Sequence, residues 1–156
     1  MENKYYPFIF NLDSKKLLFV GGGRVAERKI LLLYKLARIS VVSPEVTTEI
    51  EKLYVNGEIE INYKIFEADD IKSDSTFVFA CTNNINLNKK IGYLCHKMGI
   101  FVYVAGDKNL SDFSMPAVFK SEQYLIALST YGKSPTIAKK IRNYLKGILT
   151  NIKFIL

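Results

Sequence analysis

The feature that most constrains this chain is the junction in "KLLFVGGGRVAERKILLL", residues 16–33, where an apolar run meets a helical pattern across three glycines. Residues 16–20 read as a buried strand, since bulky apolar side chains follow one another without polar alternation. Gly21-Gly22-Gly23-Arg24-Val25-Ala26 fits the pattern G-x-G-x-x-[GA] in the strand-to-helix context that dinucleotide binding needs. Gly21 would permit the tight turn, Gly23 the approach of backbone to a diphosphate, and Ala26 close packing of helix on strand. The helix starting at Arg24 and Val25 would add unpaired N–H groups and the positive end of its dipole.

The rest of the chain extends the same alternation. Residues 38–42, 59–66, 76–80 and 100–105 read as further strands, and 24–36, 45–56 and 85–98 as helices, with Asn84 as a cap. This predicts an α/β fold around a parallel sheet. After "DKNLSDFSMPA" the pattern changes. Residues 117–121 and 124–130 are separated by two residues only, which implies antiparallel pairing, and a last helix follows "GKSP". Its apolar stripe is expected to be Ile137, Ile141, Leu145 and Ile148 or Leu149. The expected domains are 1–113 and 114–156.

Composition narrows the function. A net charge of +7 reflects either an anionic partner or a compositional preference for lysine, and no zinc or RNA-recognition motif and no basic run interleaved with aromatics points to nucleic acid. A carboxylate- or phosphate-bearing small molecule fits the charge. Two cysteines, Cys81 and Cys95, and a single histidine, His96, give neither a disulfide framework nor a metal site. No apolar run reaches the roughly 20 residues of a membrane span, and "MENKYYPF" lacks the parts of a signal peptide, so a cytoplasmic protein without membrane contact is expected.

Dinucleotide folds that take NAD usually place an acid after the second strand, to hold the ribose hydroxyls. Here "VVSPEV" offers Ser43, Pro44 and Glu45, with no arginine following to favour a 2′-phosphate, so NAD is preferred over NADP. Thr82 and Asn83 follow the fourth strand, where the nicotinamide side of the cofactor is expected.

With these residues in view, "YYPFIFNLDSKKLLFVGGGRVAERKILLL", "SPEV", "FACTNNINLNKKI", "SDFSMPAVF" and "LSTYGKSPTIAKKIR" together resemble the precorrin-2 dehydrogenase family, which includes the amino-terminal module of siroheme synthase. The resemblance implies a Rossmann-type domain, a small dimerisation domain, and a carboxy-terminal helical domain that this chain largely lacks; the apolar tail "TNIKFIL" is what truncation would leave. It implies a homodimer that oxidises precorrin-2, a carboxylate-rich tetrapyrrole, to sirohydrochlorin with NAD. Chelation of iron or cobalt, added by some members, and a binding module without turnover are the alternatives.

The family's catalytic aspartate falls on Gly106 and its asparagine on Tyr103, so both signature side chains are displaced. Asp107, one residue on, is the expected general base. Ser129, Thr130, Lys133 and Ser134 border the family's tetrapyrrole cleft and are expected to meet substrate carboxylates, with Lys139, Lys140 and Arg142 as further cationic contacts. Tyr131 stands where relatives usually carry glycine.

Overall fold

A computed structural model of the chain describes residues 5–150, which divide into two units. The first is Ile9–Phe113. The second holds Ser114 onward together with residues 5–8, a segment that the sequence reading had grouped with the first domain.

The first unit is a five-stranded parallel sheet in the order β3-β2-β1-β4-β5. Its strands are β1 (Lys16–Gly22), β2 (Arg38–Val46), β3 (Glu60–Asn62), β4 (Phe77–Ala80) and β5 (Phe101–Val104). The crossovers carry α1 (Arg24–Leu33), α2 (Thr48–Val55) and α3 (Ile85–Met98), with a short 3-10 turn at Ala68–Asp70. Strand order reverses between β1 and β4, which opens a crevice at the carboxyl ends of those strands.

Alternation along the strands builds two different faces. Leu18, Val20, Val42, Val78, Ala80, Val102 and Val104 pack with Ile91 and Cys95 of α3 in one apolar cluster. The neighbouring positions are aromatic: Phe19 stacks on Phe79 with centroids 4.3 Å apart, and Tyr103, in register with Phe79, lies 6.0 Å beyond. Both cysteines are buried and unpaired.

Several boundaries differ from the sequence expectation. Strand β2 runs to Val46, because the ladder resumes after an irregularity and pairs Gly22 with Val46; α2 therefore starts at Thr48 rather than 45. Only Glu60–Asn62 of 59–66 pairs, with Ser40–Val42 of β2, and β3 is the edge of the sheet. Helix α1 stops at Leu33, short of residue 36. Helix α3 matches: the Asn84 side chain accepts the N–H groups of Asn86 and Leu87 at 3.0 and 3.1 Å, and Gly99 closes it at φ +69°.

In the second unit β6 (Ala117–Lys120) and β7 (Leu125–Leu128) pair antiparallel, and α4 (Pro135–Thr150) packs on both. The expected α4 stripe splits. Ala138 is buried, with Leu145 and Leu149 half-buried, whereas Ile137, Ile141 and Ile148 are exposed beside Tyr144. Two strands cover only a narrow stripe, and the helix has apolar residues on more of its circumference than that. The tail 151–156 lies outside the described residues.

Candidate functional site

At the crevice, the end of β1 makes the close approaches that its glycines allow. Gly21 has φ +102°, and a Cβ there would stand 2.6 Å from the carbonyl oxygen of Cys81 on the neighbouring strand end. A Cβ on Gly22 would stand 2.5 Å from the carbonyl oxygen of Glu45. Gly23 differs: no protein atom lies within 4 Å of the Cβ it lacks, so the space is open at the lip of the cleft. Gly23 is also the N-cap of α1, and no side chain caps that helix. Its first N–H groups therefore have no side-chain acceptor, which is the arrangement that binds a diphosphate.

The cleft at this end has a volume of about 480 Å³ and is walled by the carboxyl ends of β1, β2 and β4 and by the chain after β3. Of the residues expected to hold cofactor, Gly21, Gly22, Gly23, Ser43, Pro44, Glu45, Thr82 and Asn83 line it. Arg24 and Val25 form the first turn of α1 and are not part of its wall.

Lining is not the same as having a hydrogen bond to offer. Ser43 is almost fully enclosed and donates its hydroxyl to the carbonyl of Glu45 at 2.6 Å. Its proton is therefore committed, and Glu45 is the exposed residue beside it. Thr82 is bound to the buried Asn88. The Asn88 Oδ1 accepts both its N–H, at 3.0 Å, and its hydroxyl, at 2.7 Å, while the Asn88 Nδ2 donates to its carbonyl at 2.9 Å. Asn83, by contrast, is exposed.

The cleft contains residues that sequence reading missed. Ile65 and Phe66 supply an apolar wall after β3, and Val20, Val42, Val46 and Leu87 extend it. Thr47 also lines the cleft; its Oγ1 is enclosed without a hydrogen-bond partner among the described residues, and at the N-cap of α2 it caps nothing. The signal for Ile65 and Phe66 was present in "NYKIF", where apolar residues continue past the last one that can pair. An apolar wall, an open glycine lip, an uncapped helix end and an orphaned hydroxyl together fit a dinucleotide.

The loop after β5 is built in the opposite way. It turns at Gly106, φ +84°, and doubles back along the free edge of β5. Val104 N–H donates to the Ser111 hydroxyl at 2.9 Å, and Val102 N–H to the Asp112 carboxylate at 2.8 Å. The other carboxylate oxygen of Asp112 is 3.1 Å from His96 Nε2 on α3. Asp107 accepts the N–H groups of Asn109 and Leu110 on one oxygen, at 3.0 and 3.2 Å, and its other oxygen lies 3.8 Å from Lys89 Nζ. It does not line the cleft.

In the second unit, the segment expected to meet substrate forms the cap of α4. Thr130 Oγ1 donates to the Ser134 carbonyl at 2.9 Å and accepts the Ser134 N–H at 3.1 Å. The Ser134 hydroxyl accepts the Ile137 N–H at 3.2 Å, and Ser129 accepts that of Tyr131 at 3.1 Å, which leaves each serine its own proton to donate. Lys133, Lys139 and Lys140 are exposed, and Arg142 binds the Asn143 side chain. Tyr131 keeps the left-handed backbone that suits glycine, φ +54°, with its ring 6.3 Å from that of Tyr5. Among the described residues no cluster of His, Cys, Asp and Glu is suited to a metal, and no helix is long and apolar enough to cross a membrane.

Sheet order, glycine loop and cleft define a Rossmann-type dinucleotide-binding domain. The family described as "Putative NAD(P)-binding" matches residues 8–117, and the chain belongs to it. Siroheme synthase 1 of Aeromonas salmonicida is 36% identical over 146 residues, and the siroheme synthase of Nitrosomonas europaea 32%. Each alignment covers 93% of this chain and 31% of the relative, so the chain spans about a third of the length of these proteins. Among solved structures, SirC, a precorrin-2 dehydrogenase, superposes with a TM-score of 0.72 at 26% identity, covering 92% of this chain and 71% of that one. The resemblance drawn from the motifs holds.

Proposed function

We propose that this chain is an NAD-dependent dehydrogenase that oxidises precorrin-2 to sirohydrochlorin. The observation that carries the reading is the open lip at Gly23 beneath the uncapped α1, in a chain that aligns almost end to end with siroheme synthases and with a precorrin-2 dehydrogenase. The nicotinamide of the bound cofactor would accept the hydride. The residues of the chain would hold it: Gly21 to Gly23 and the first turn of α1 take the diphosphate, Glu45 the ribose, Ile65 and Phe66 the adenine, and Asn83 the nicotinamide side. Glu45 stands where a 2′-phosphate would be repelled, which supports NAD over NADP.

Asp107 is assigned the proton. Ser129, Ser134 and Lys133 are assigned substrate carboxylates, with the surplus positive charge favouring their approach. The exposed apolar residues Ile137, Ile141, Tyr144 and Ile148 on α4, and Val118 and Leu125 on the open face of the small sheet, support a homodimer.

A second reading has its own support. Gly106 occupies the position of the family's acid, and Asp107 is tied to two backbone N–H groups and a lysine, so a module that binds cofactor and tetrapyrrole without turnover is the competing function. Following NADH absorbance after adding precorrin-2 separates the two. Turnover by wild-type protein that disappears in Asp107→Asn, which keeps an acceptor for the loop, supports the dehydrogenase with this base. Saturable NAD binding with no NADH formed would establish the module instead. Gly106→Asp sharpens the result: a Cβ there meets only Ile85 Cδ1, at 3.6 Å, and aspartate tolerates the left-handed backbone at a cost of about 1 kcal/mol. NADH formation should rise in this variant if the displaced acid limits the rate.

A further inference from the structure

One half-buried charge remains without a role. Lys29, in the second turn of α1, has its Nζ 4.3 Å from the centroid of the Tyr103 ring. Tyr103 is half-buried at the carboxyl end of β5, where its ring leans on Phe79 and Phe113 at 6.0 and 6.3 Å. Cys81, a wall of the cofactor cleft, stands close enough to act on the charge of both. Burial lowers the affinity of Lys29 for its proton, and the neighbouring Arg28 adds to the effect.

An ammonium partly withdrawn from water gains from a carboxylate partner, which offsets its desolvation more fully than a ring face does. Lys29 makes no ion pair among the described residues, although its neighbour Glu27 and the acids Asp107 and Asp112 belong to the same unit. The carboxyl edge of an open parallel sheet is also where ligands bind in such folds. The cluster is therefore a cation held on an aromatic floor beside the wall of the cleft, with no carboxylate partner among the described residues.

We infer that Lys29, seated on the ring of Tyr103, is an anion-binding site for a carboxylate of the tetrapyrrole substrate. This rests on the function proposed above. The site would fix one carboxylate close to the β4 end of the cleft, so Lys29 acts in positioning substrate and not in moving protons. Tyr103 belongs to it because the ring supports the ammonium when the site is empty, which the small side chain of an asparagine would not do.

The test uses uroporphyrin, a stable carboxylate-rich tetrapyrrole, and NAD as separate titrants. Lys29→Met keeps the aliphatic stem and removes the charge; it should weaken uroporphyrin binding by about tenfold, with NAD affinity held within about twofold. Lys29→Arg should stay close to wild type for both. If the methionine variant does not fold by circular dichroism, Lys29→Gln carries the same comparison. Unchanged uroporphyrin affinity in the folded neutral variant, with NAD binding intact, would overturn this site and leave the proposed function standing. Equal loss of uroporphyrin and NAD would also overturn it, because the charge would then serve the cofactor. Failure of the wild-type protein to bind either titrant would remove the proposed function and this inference together.

Discussion

The ends of β1 and β5 lie two strands apart in one sheet and solve opposite problems. After β1 the chain withholds hydrogen bonds: α1 has no side-chain cap, Gly23 leaves its space empty, and Thr47 nearby keeps an unpaired hydroxyl. After β5 it consumes them, as Asp107, Ser111 and Asp112 satisfy the turn at Gly106 and the exposed edge of the strand. The contrast teaches where a ligand has something to gain. A helix end that no side chain completes can be completed by a diphosphate, whereas an acid that completes its own loop must break those bonds before serving a substrate.

Substituting glycines within the β1 turn breaks this comparison most strongly. Gly21→Ala forces a side chain into the Cys81 carbonyl at a backbone angle that disfavours it, and urea denaturation should show a loss of about 3 kcal/mol. Gly23→Ala is the counterpart: its stability should stay within about 0.5 kcal/mol of wild type, while NAD titration shows affinity falling by about tenfold. A Gly23 variant that binds NAD normally would sink the assignment of that lip to the diphosphate.

On the β5 side, Asp112→Ala strips an acceptor from Val102 N–H and should cost about 2 kcal/mol, with NAD affinity unaltered. The asparagine variant should recover most of that stability. The smallest effect tests the core between the two ends. Burial pushes the Cys81 thiol up to about 11 and the Cys95 thiol, where Asp112 adds to burial, up to about 12, from an ordinary value of 9.0. The unfolded chain thus releases these protons first, so the thiols' contribution to stability is fully present below about pH 9 and declines as pH rises through and beyond it. Lys29, lowered by burial, works in the opposite sense, so Cys95→Ala in a Lys29→Met background gives the cleaner reading of the remaining thiol.

The sequence made the strand-glycine-helix junction legible because three local requirements coincide there: a tight turn, a close approach and a free helix end. Asn84 was legible for a similar reason, since a cap depends only on residues within one turn. What escaped depended on partners distant in the chain. Residues 59–66 look like one strand, but pairing ends at Asn62 opposite Val42, where β2 becomes irregular, and Ile65 and Phe66 beyond it wall the cleft. Ser43 looked available for a ribose, but in the irregular stretch of β2 between Val42 and Val46 the Glu45 carbonyl lies within its reach. The α4 pattern named apolar positions correctly but could not say that a two-stranded sheet covers only the side of Ala138, Leu145 and Leu149.

The clamp between Asn88 and Thr82 bears on how the cleft moves. With its N–H, hydroxyl and carbonyl all held by one amide on α3, Thr82 cannot shift as loop residues do; its motion is that of the helix. Its amide hydrogen should therefore exchange with solvent at the slow rate of the α3 interior, while Asn83, one residue on, exchanges quickly. The wall is already set in place before a dinucleotide arrives, and binding pays little entropy to order it.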